Sequence, residues 1–285
     1  MIPAYSETDA LPPGFVRAFS KKIPKNKRSR VGRPNSVRPS TGPPEIGIYN
    51  QNAANPLTTG FNMSERFELP DDFTNEVRLF PLPDLVMFPS NVQPLHVFEE
   101  RYREMLEDAL MGDRIIAMAT LQPGYDQAEY HSRPALAEAI CVGKIATCER
   151  TEQGTYNLLL VGLKRAVIEH ELPPHRAFRE AKIQILEDDF IGSPQPHEKT
   201  LARTIVERIQ RRAPGSKEML NSLVDRDLSL AELTDVLAYH INLDLDTKLS
   251  LLSEPVAERR ARIMLESMPE RETFDDGELP PFSMN

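Results

Sequence analysis

A chain of 285 residues is long enough for one large domain or two ordinary ones. Yet 25 prolines, no tryptophan and a mean hydropathy of −0.41 mean that part of it lacks the apolar content of a packed core. The formal charge of −9 weighs against a general nucleic-acid binder, and no apolar run reaches the roughly 18 residues that cross a bilayer, so the sequence predicts a soluble, cytoplasmic protein.

Residues 11–44 contain nine Lys or Arg, seven Pro and no Asp or Glu, without helical or strand periodicity. They read as disordered, and the Asn- and Gly-containing stretch after them extends that reading to residue 62. Removing the nine basic and three acidic residues of 1–62 from totals of 34 and 43 leaves 25 against 40, a net of −15 for residues 63–285. Such a surface repels phosphates, so nucleic-acid affinity is expected of the basic segment only. That segment could also hold an anionic membrane, or act as an organellar transit peptide, although its prolines oppose the amphipathic helix such a signal uses. A third reading takes 1–62 as an upstream extension that is not normally translated, with the folded protein starting at Met63.

The stretch 79–106, "LFPLPDLVMFPSNVQPLHVFEERYREML", has strand composition but four prolines. Residues 77–82 alternate and 85–88 are uniformly apolar, which predicts two short buried strand pieces. Pro81 and Pro83 would mark a sheet edge or corner between them, Pro89 would end the second, and Pro94 would shape the approach to a helix. Phe98, Tyr102, Met105, Leu106, Ala109 and Leu110 then make one apolar helical stripe, with Glu99 four before Arg103 and Gly112 as the stop. Strands are predicted at 114–121, 139–150, 155–163, 164–172 and 177–186, the second and third joined as a hairpin by "TEQG". After "GSPQP" the period turns helical, with Leu201, Ile205 and Ile209 on one face until Pro214-Gly215. Further helices are predicted at 217–226, 229–241, 246–253 and 255–268, with Ser229 and Glu232 in capping-box spacing and Pro255 in a first turn. An acidic tail, 270–285, is expected to fray.

The blocks "LFPLPDLVMFPSNVQPLHVFEERYREMLEDAL", "GDRIIAMATLQPG" and "VGKIATCERTEQGTYNLLLVGLKRAVI", in that order and spacing, resemble the amino-terminal substrate-recognition domain of Lon proteases. The resemblance is strong over 77–187 and looser to about 268. It implies an α+β fold, a PUA-like antiparallel β pseudobarrel with an inserted helix over 63–190, followed by a small α-helical bundle over 197–269. Pro81 and Pro83 match the family's "PL-P" rhythm and Phe88-Pro89 its "FP" turn, but the usual glycine after that proline is Ser90 here. What the resemblance implies for function is a non-enzymatic module that binds unfolded or tagged polypeptides, in partnership with a separate ATP-dependent protease. Because PUA-like barrels elsewhere bind RNA, an RNA-associated protein using the basic segment is the alternative.

Catalytic machinery is not evident in the 285 residues. There is no G-x-x-x-x-G-K-[ST] phosphate loop, since Gly143-Lys144 lacks both the upstream glycine and the following hydroxyl, and no credible nucleophile setting for peptide hydrolysis. No cofactor, metal ligand set or catalytic residue is therefore assigned. Cys141 and Cys148 lie seven apart in one predicted strand, about 23 Å in extended chain, beyond disulfide reach. His96, Glu99 and Glu100 read as a helix start with acids favoured by the dipole. Two places are candidates for holding a polypeptide: the apolar run Leu85, Met87 and Phe88 as the wall of a groove, and the loop 122–138, which carries Tyr125, Tyr130 and Arg133. The favoured reading of the same residues is core, with both tyrosines packed back onto the barrel and the apolar run inside it.

Overall fold

The computed structural model of the protein describes residues 68–124, 133–188, 196–212, 220, 223 and 228–268. Its strands are β1 (Glu76–Leu82), β2 (Val92–Val97), β3 (Ile115–Leu121), β4 (Leu136–Arg150), β5 (Tyr156–Glu171) and β6 (Arg179–Leu186). Alternate residues of five of them meet in one interior: Val77 and Leu79 from β1, Ile115, Ala117 and Ala119 from β3, Ile140 and Val142 from β4, Ala166 from β5, and Ala181 and Ile183 from β6. Period-two alternation sends these side chains to one face of each strand, and the recurrent alanines let the opposed walls approach.

Pairing closes this interior. β1 pairs with β3 and β6, β3 with β4, β4 with β5, and β5 with β6, which completes a ring of five strands. β2 stands outside the ring, antiparallel to Tyr156–Val161 of β5, while the later half of β5 pairs with β6. The pseudobarrel is mixed, because β1 and β3 run parallel. One sixteen-residue strand replaces the two predicted at 155–163 and 164–172. Gly162 lies at that join, and a Cβ there would stand 2.3 Å from the Phe88 carbonyl oxygen. Only glycine admits the crossing of the 83–91 segment at this point.

Leu85–Phe88 is not a strand. It is a buried, irregular connection, held by Thr120 Oγ1 donating to the Leu85 carbonyl (2.8 Å) and by Ser90 N–H donating to the Gly162 carbonyl (3.0 Å). Pro94 and His96 lie within β2 rather than at the helix entrance. Pro81 sits in β1 beyond Leu79, the last residue in register with β6. Ile183 N–H donates to the Asn75 carbonyl, so odd-numbered residues of β1 aim their backbone toward β6 and even ones toward β3. The nitrogen of Pro81 therefore faces past the end of β6 and removes no ladder bond, and its carbonyl accepts from Tyr102 Oη (3.3 Å).

Helix α1 (Glu100–Met111) buries Tyr102, Met105, Leu106 and Ala109, as its stripe predicts. Glu99 flanks its first turn and pairs with Arg101 (2.9 Å), whereas Arg103 donates to the Gly154 carbonyl (3.3 Å) across the β4–β5 hairpin. The left-handed residue after the helix is Arg114 (φ 64°), not Gly112 (φ −113°). Arg78 of β1 anchors α1 through Asp108 (2.5 Å) and Asp113 (2.8 Å).

The later helices are α2 (Pro196–Arg212), α3 (Leu230–His240), α4 (Leu245–Ser253) and α5 (Ala257–Ser267). Ser229 and Glu232 form the expected capping box at α3, and Asp244 caps α4 through the Thr247 N–H (2.7 Å). Of the helix predicted at 217–226, Leu220 and Leu223 are helical and buried, and its other residues lie outside the described ones. Pro255 precedes α5 instead of starting it.

Candidate functional site

The apolar run proposed as a groove wall is interior. Leu85 is 8%, Met87 1% and Phe88 0% exposed, so none offers a surface to a ligand in this conformation. Its uniform apolarity reflects a segment with both sides of the chain buried. Arg133 is exposed, with φ at 64°, and its guanidinium lies 3.9 Å from Glu171, whose carboxylate also receives Arg179. Tyr125 and Tyr130 lie outside the described residues. Met111 is the one large apolar side chain exposed among the described residues, and alone it makes no patch.

The most concentrated polar chemistry lies instead in the seam between the barrel and the helices. Arg165 of β5 is 1% exposed and donates both Nη2 hydrogen bonds to Asp235 of α3, at 2.7 and 2.6 Å. Its Nη1 reaches the carbonyls of Leu251 (3.1 Å), Leu252 (3.2 Å) and Glu254 (3.4 Å), closing the C-terminal end of α4, whose last carbonyls have no intrahelical partner. Arg260 of α5, fully buried, donates to Thr234 Oγ1 (3.1 Å), to Asp188 (2.8 Å) and to the Glu254 and Pro255 carbonyls. Asp188 also faces Arg165 Nε at 3.1 Å. Burial works against the charge on Arg165, but Asp235 and Asp188 outweigh it and keep the guanidinium protonated. Burial raises the Asp235 carboxyl above its usual range, against the pull of Arg165 and Arg260.

Around this cluster the segment before β2 meets α3. Asn91 Nδ2 donates to the Asp235 carbonyl (3.2 Å), and Tyr239 Oη donates to Gln93 Oε1 (2.7 Å). Burial pushes the Tyr239 phenol up to about 12, so it stays a donor. No local pattern in the sequence pairs these residues, because Arg165 and Asp235 are 70 residues apart. The available signal is an arginine in the apolar strand "NLLLVGLKRAVI" and an aspartate in the apolar helix "LAELTDVLAYH", each a charge in a segment otherwise built for burial.

The arrangement ties β5 and Asp188, just after β6, to α3, α4 and α5. Burial pushes the Cys141 thiol far up and the Cys148 thiol up to about 11, so neither supplies a thiolate near neutrality. His96 Nδ1 is engaged with Asn157 Oδ1 (2.7 Å). Among the described residues no group of three His, Cys, Asp or Glu is placed to hold a metal ion, and no helix is long and apolar enough to cross a membrane.

Residues 76–270 match the family described as the ATP-dependent protease La (LON) substrate-binding domain. Among sequences, the Lon protease of Syntrophomonas wolfei is 26% identical over 194 residues, 67% of this chain and 23% of that protein, and the Lon protease of Escherichia coli K12 is 29% identical over 213 residues, 72% of this chain and 25% of that protein. The chain thus spans about a quarter of the length of the curated relatives it matches. Among structures, the Lon N-terminal domain protein from Xanthomonas campestris superposes with a TM-score of 0.52 at 23% identity, covering 68% of this chain and 99% of that one. The N-terminal domain of Mycobacterium avium complex Lon protease gives 0.53 at 17% identity, covering 69% and 99%. With the family matched across most of the barrel and bundle, the chain belongs to the Lon substrate-binding domain family.

Proposed function

We propose that this protein binds unfolded or degron-bearing polypeptides and presents them to a separate ATP-dependent protease, without covalent chemistry of its own. The observation that carries this reading is the family match over 76–270, which covers barrel and bundle together. The buried polar network supports it, since its groups are spent on holding two layers in register and none is poised for bond cleavage. The net charge of −15 outside residues 1–62 favours a polypeptide over a polyanion.

The test is direct binding, read by fluorescence anisotropy. A reduced, carboxymethylated model protein should bind the full chain, and its native disulfide-bonded form should not. Equal and negligible binding of both forms removes the reading. Loss of client peptide bonds on incubation with the purified chain alone would remove its non-enzymatic part.

A further inference from the structure

In an antiparallel pair, alternate residues aim both backbone groups at the partner strand. Gly162 N–H donates to the Asn91 carbonyl (2.8 Å), and the register runs from Val92 opposite Val161 to Val97 opposite Tyr156. Gln93, Leu95 and Val97 therefore bond to β5, while Val92, Pro94 and His96 aim their backbone groups away from it. On that outer side β2 pairs with no strand among the described residues. Pro94 has no N–H to offer there, and its carbonyl accepts from Gln93 Nε2 (2.9 Å). Its place on the outer parity is why a proline is tolerated in β2 at all.

Helix α3 meets this edge strand and the residue before it through side chains. Tyr239 reaches Gln93 and, one turn earlier, the Asp235 carbonyl receives Asn91. Four residues of helix rise about 6 Å and two of strand about 6.6 Å, so α3 runs alongside β2. α3 is held by its buried Leu230, Leu233, Val236, Leu237 and Ala238 together with the Arg165–Asp235–Arg260–Asp188 cluster, a charged element that the apolar cluster inside the barrel does not have. Parting an ion-paired seam returns its charges to water and recovers the solvation that burial cost, so such a seam adheres weakly for its size, whereas parting an apolar one recovers nothing. The seam is also incompletely satisfied: Asn91 Oδ1 and Arg260 Nη2 are buried and find no hydrogen-bond partner among the described residues.

We propose that the charged seam around Asp235 is a latch, whose release lifts the helical layer from β2 and opens the outer edge of that strand to an extended polypeptide. This rests on the reading that the chain binds unfolded polypeptides, and it says where and how. The client adds as a strand, exchanging main-chain hydrogen bonds with Val92 and His96. Main-chain pairing is indifferent to client sequence, which suits a binder of many unfolded chains. The gap at Pro94 keeps the pairing short and reversible, and the latched helical layer keeps the edge from joining a second copy.

Native-state hydrogen exchange on the full chain tests this. The α3 amides, Leu233 to Ala238, should exchange through an opening that the barrel amides of Ala117, Ile140 and Val142 do not share. Asp235→Asn should speed α3 exchange by about tenfold or more and leave the barrel amides unchanged. The same variant should bind the carboxymethylated model protein more tightly, with new protection at the Val92 and His96 amides. Should Asp235→Asn not fold, Arg165→Lys, which keeps the charge but loses the two-pronged contact, gives the same readout, and exchange in the wild type stands by itself. Exchange of α3 and barrel amides in one common step overturns the latch. Client binding that leaves Val92 and His96 unprotected overturns the edge and spares the proposed function, and absence of client binding by either protein overturns both.

Discussion

Ser90 holds φ at 60°, a conformation that costs an ordinary residue about 1–2 kcal/mol and glycine nothing. It occupies the position where the resemblance anticipates glycine, so the turn keeps its left-handed geometry and carries the strain. Ser90→Gly should therefore stabilise the protein by roughly 0.5 kcal/mol, the relieved strain less the added freedom of the unfolded chain. A rise in the urea midpoint checks it, and an unchanged or lower midpoint contradicts it. Gly162 is the opposite case. A methyl group there would meet the Phe88 carbonyl at 2.3 Å, backbone against backbone, so no rotamer relieves it. Gly162→Ala should cost more than about 2 kcal/mol in the same measurement and displace the 83–91 segment from β5.

Among the elements, alternation made the barrel strands readable and the 3.6-residue stripe made α1 readable, because one buried face leaves a period in the sequence. Leu85–Phe88 left no period, since burial on both sides looks the same in a strand as in an irregular segment. The break expected near residue 163 did not occur, because a long strand can change partners from β2 to β6 without any turn residue. The seam was not legible for a different reason: pairs as distant as Arg165 and Asp235 are joined by topology, and no local pattern encodes topology. Element ends were legible in part: Gly112 follows α1 without the left-handed backbone of a glycine stop and Pro255 precedes α5 instead of starting it, whereas the capping box of α3 forms as its spacing predicts, and Ser229→Ala should cost about 1 kcal/mol by thermal melts. Titration acts at the other end of that helix. Burial, with Lys248 nearby, lowers the His240 imidazole below its ordinary 6.5, so the folded state favours the neutral ring. The unfolded chain takes up the proton first, and stability present above pH 6.5 is lost as pH falls through the lowered folded value. The urea midpoint should drop between pH 7.5 and pH 5.5, and His240→Gln should flatten that slope. An equal slope in the variant would assign the pH dependence elsewhere.

At the scale of the molecule, the barrel is sealed at one side by the chain that leads into it. Lys182 Nζ donates to the Thr74 carbonyl (2.6 Å), Ile183 N–H to the Asn75 carbonyl (2.9 Å), and Leu69 and Phe73 pack against the barrel interior. Lys144 Nζ reaches back as far as the Glu68 carbonyl (3.5 Å). These contacts tie residues 68–75 into the barrel. Two truncations separate the consequences. A chain beginning at Met63 should melt at the same midpoint as the full chain, while one beginning at Glu76 should lose on the order of 2–4 kcal/mol, because it gives up two partly buried apolar side chains and the carbonyls that three donors require. Charge follows a different course, since removing residues 1–62 shifts the net charge from −9 to −15. The shorter protein should lose any retention on heparin while keeping its affinity for the unfolded model protein, because polyanion contact and polypeptide capture then reside in different parts of the chain. If client binding disappears together with heparin retention, the basic segment rather than the barrel and its helical cover is what holds the client.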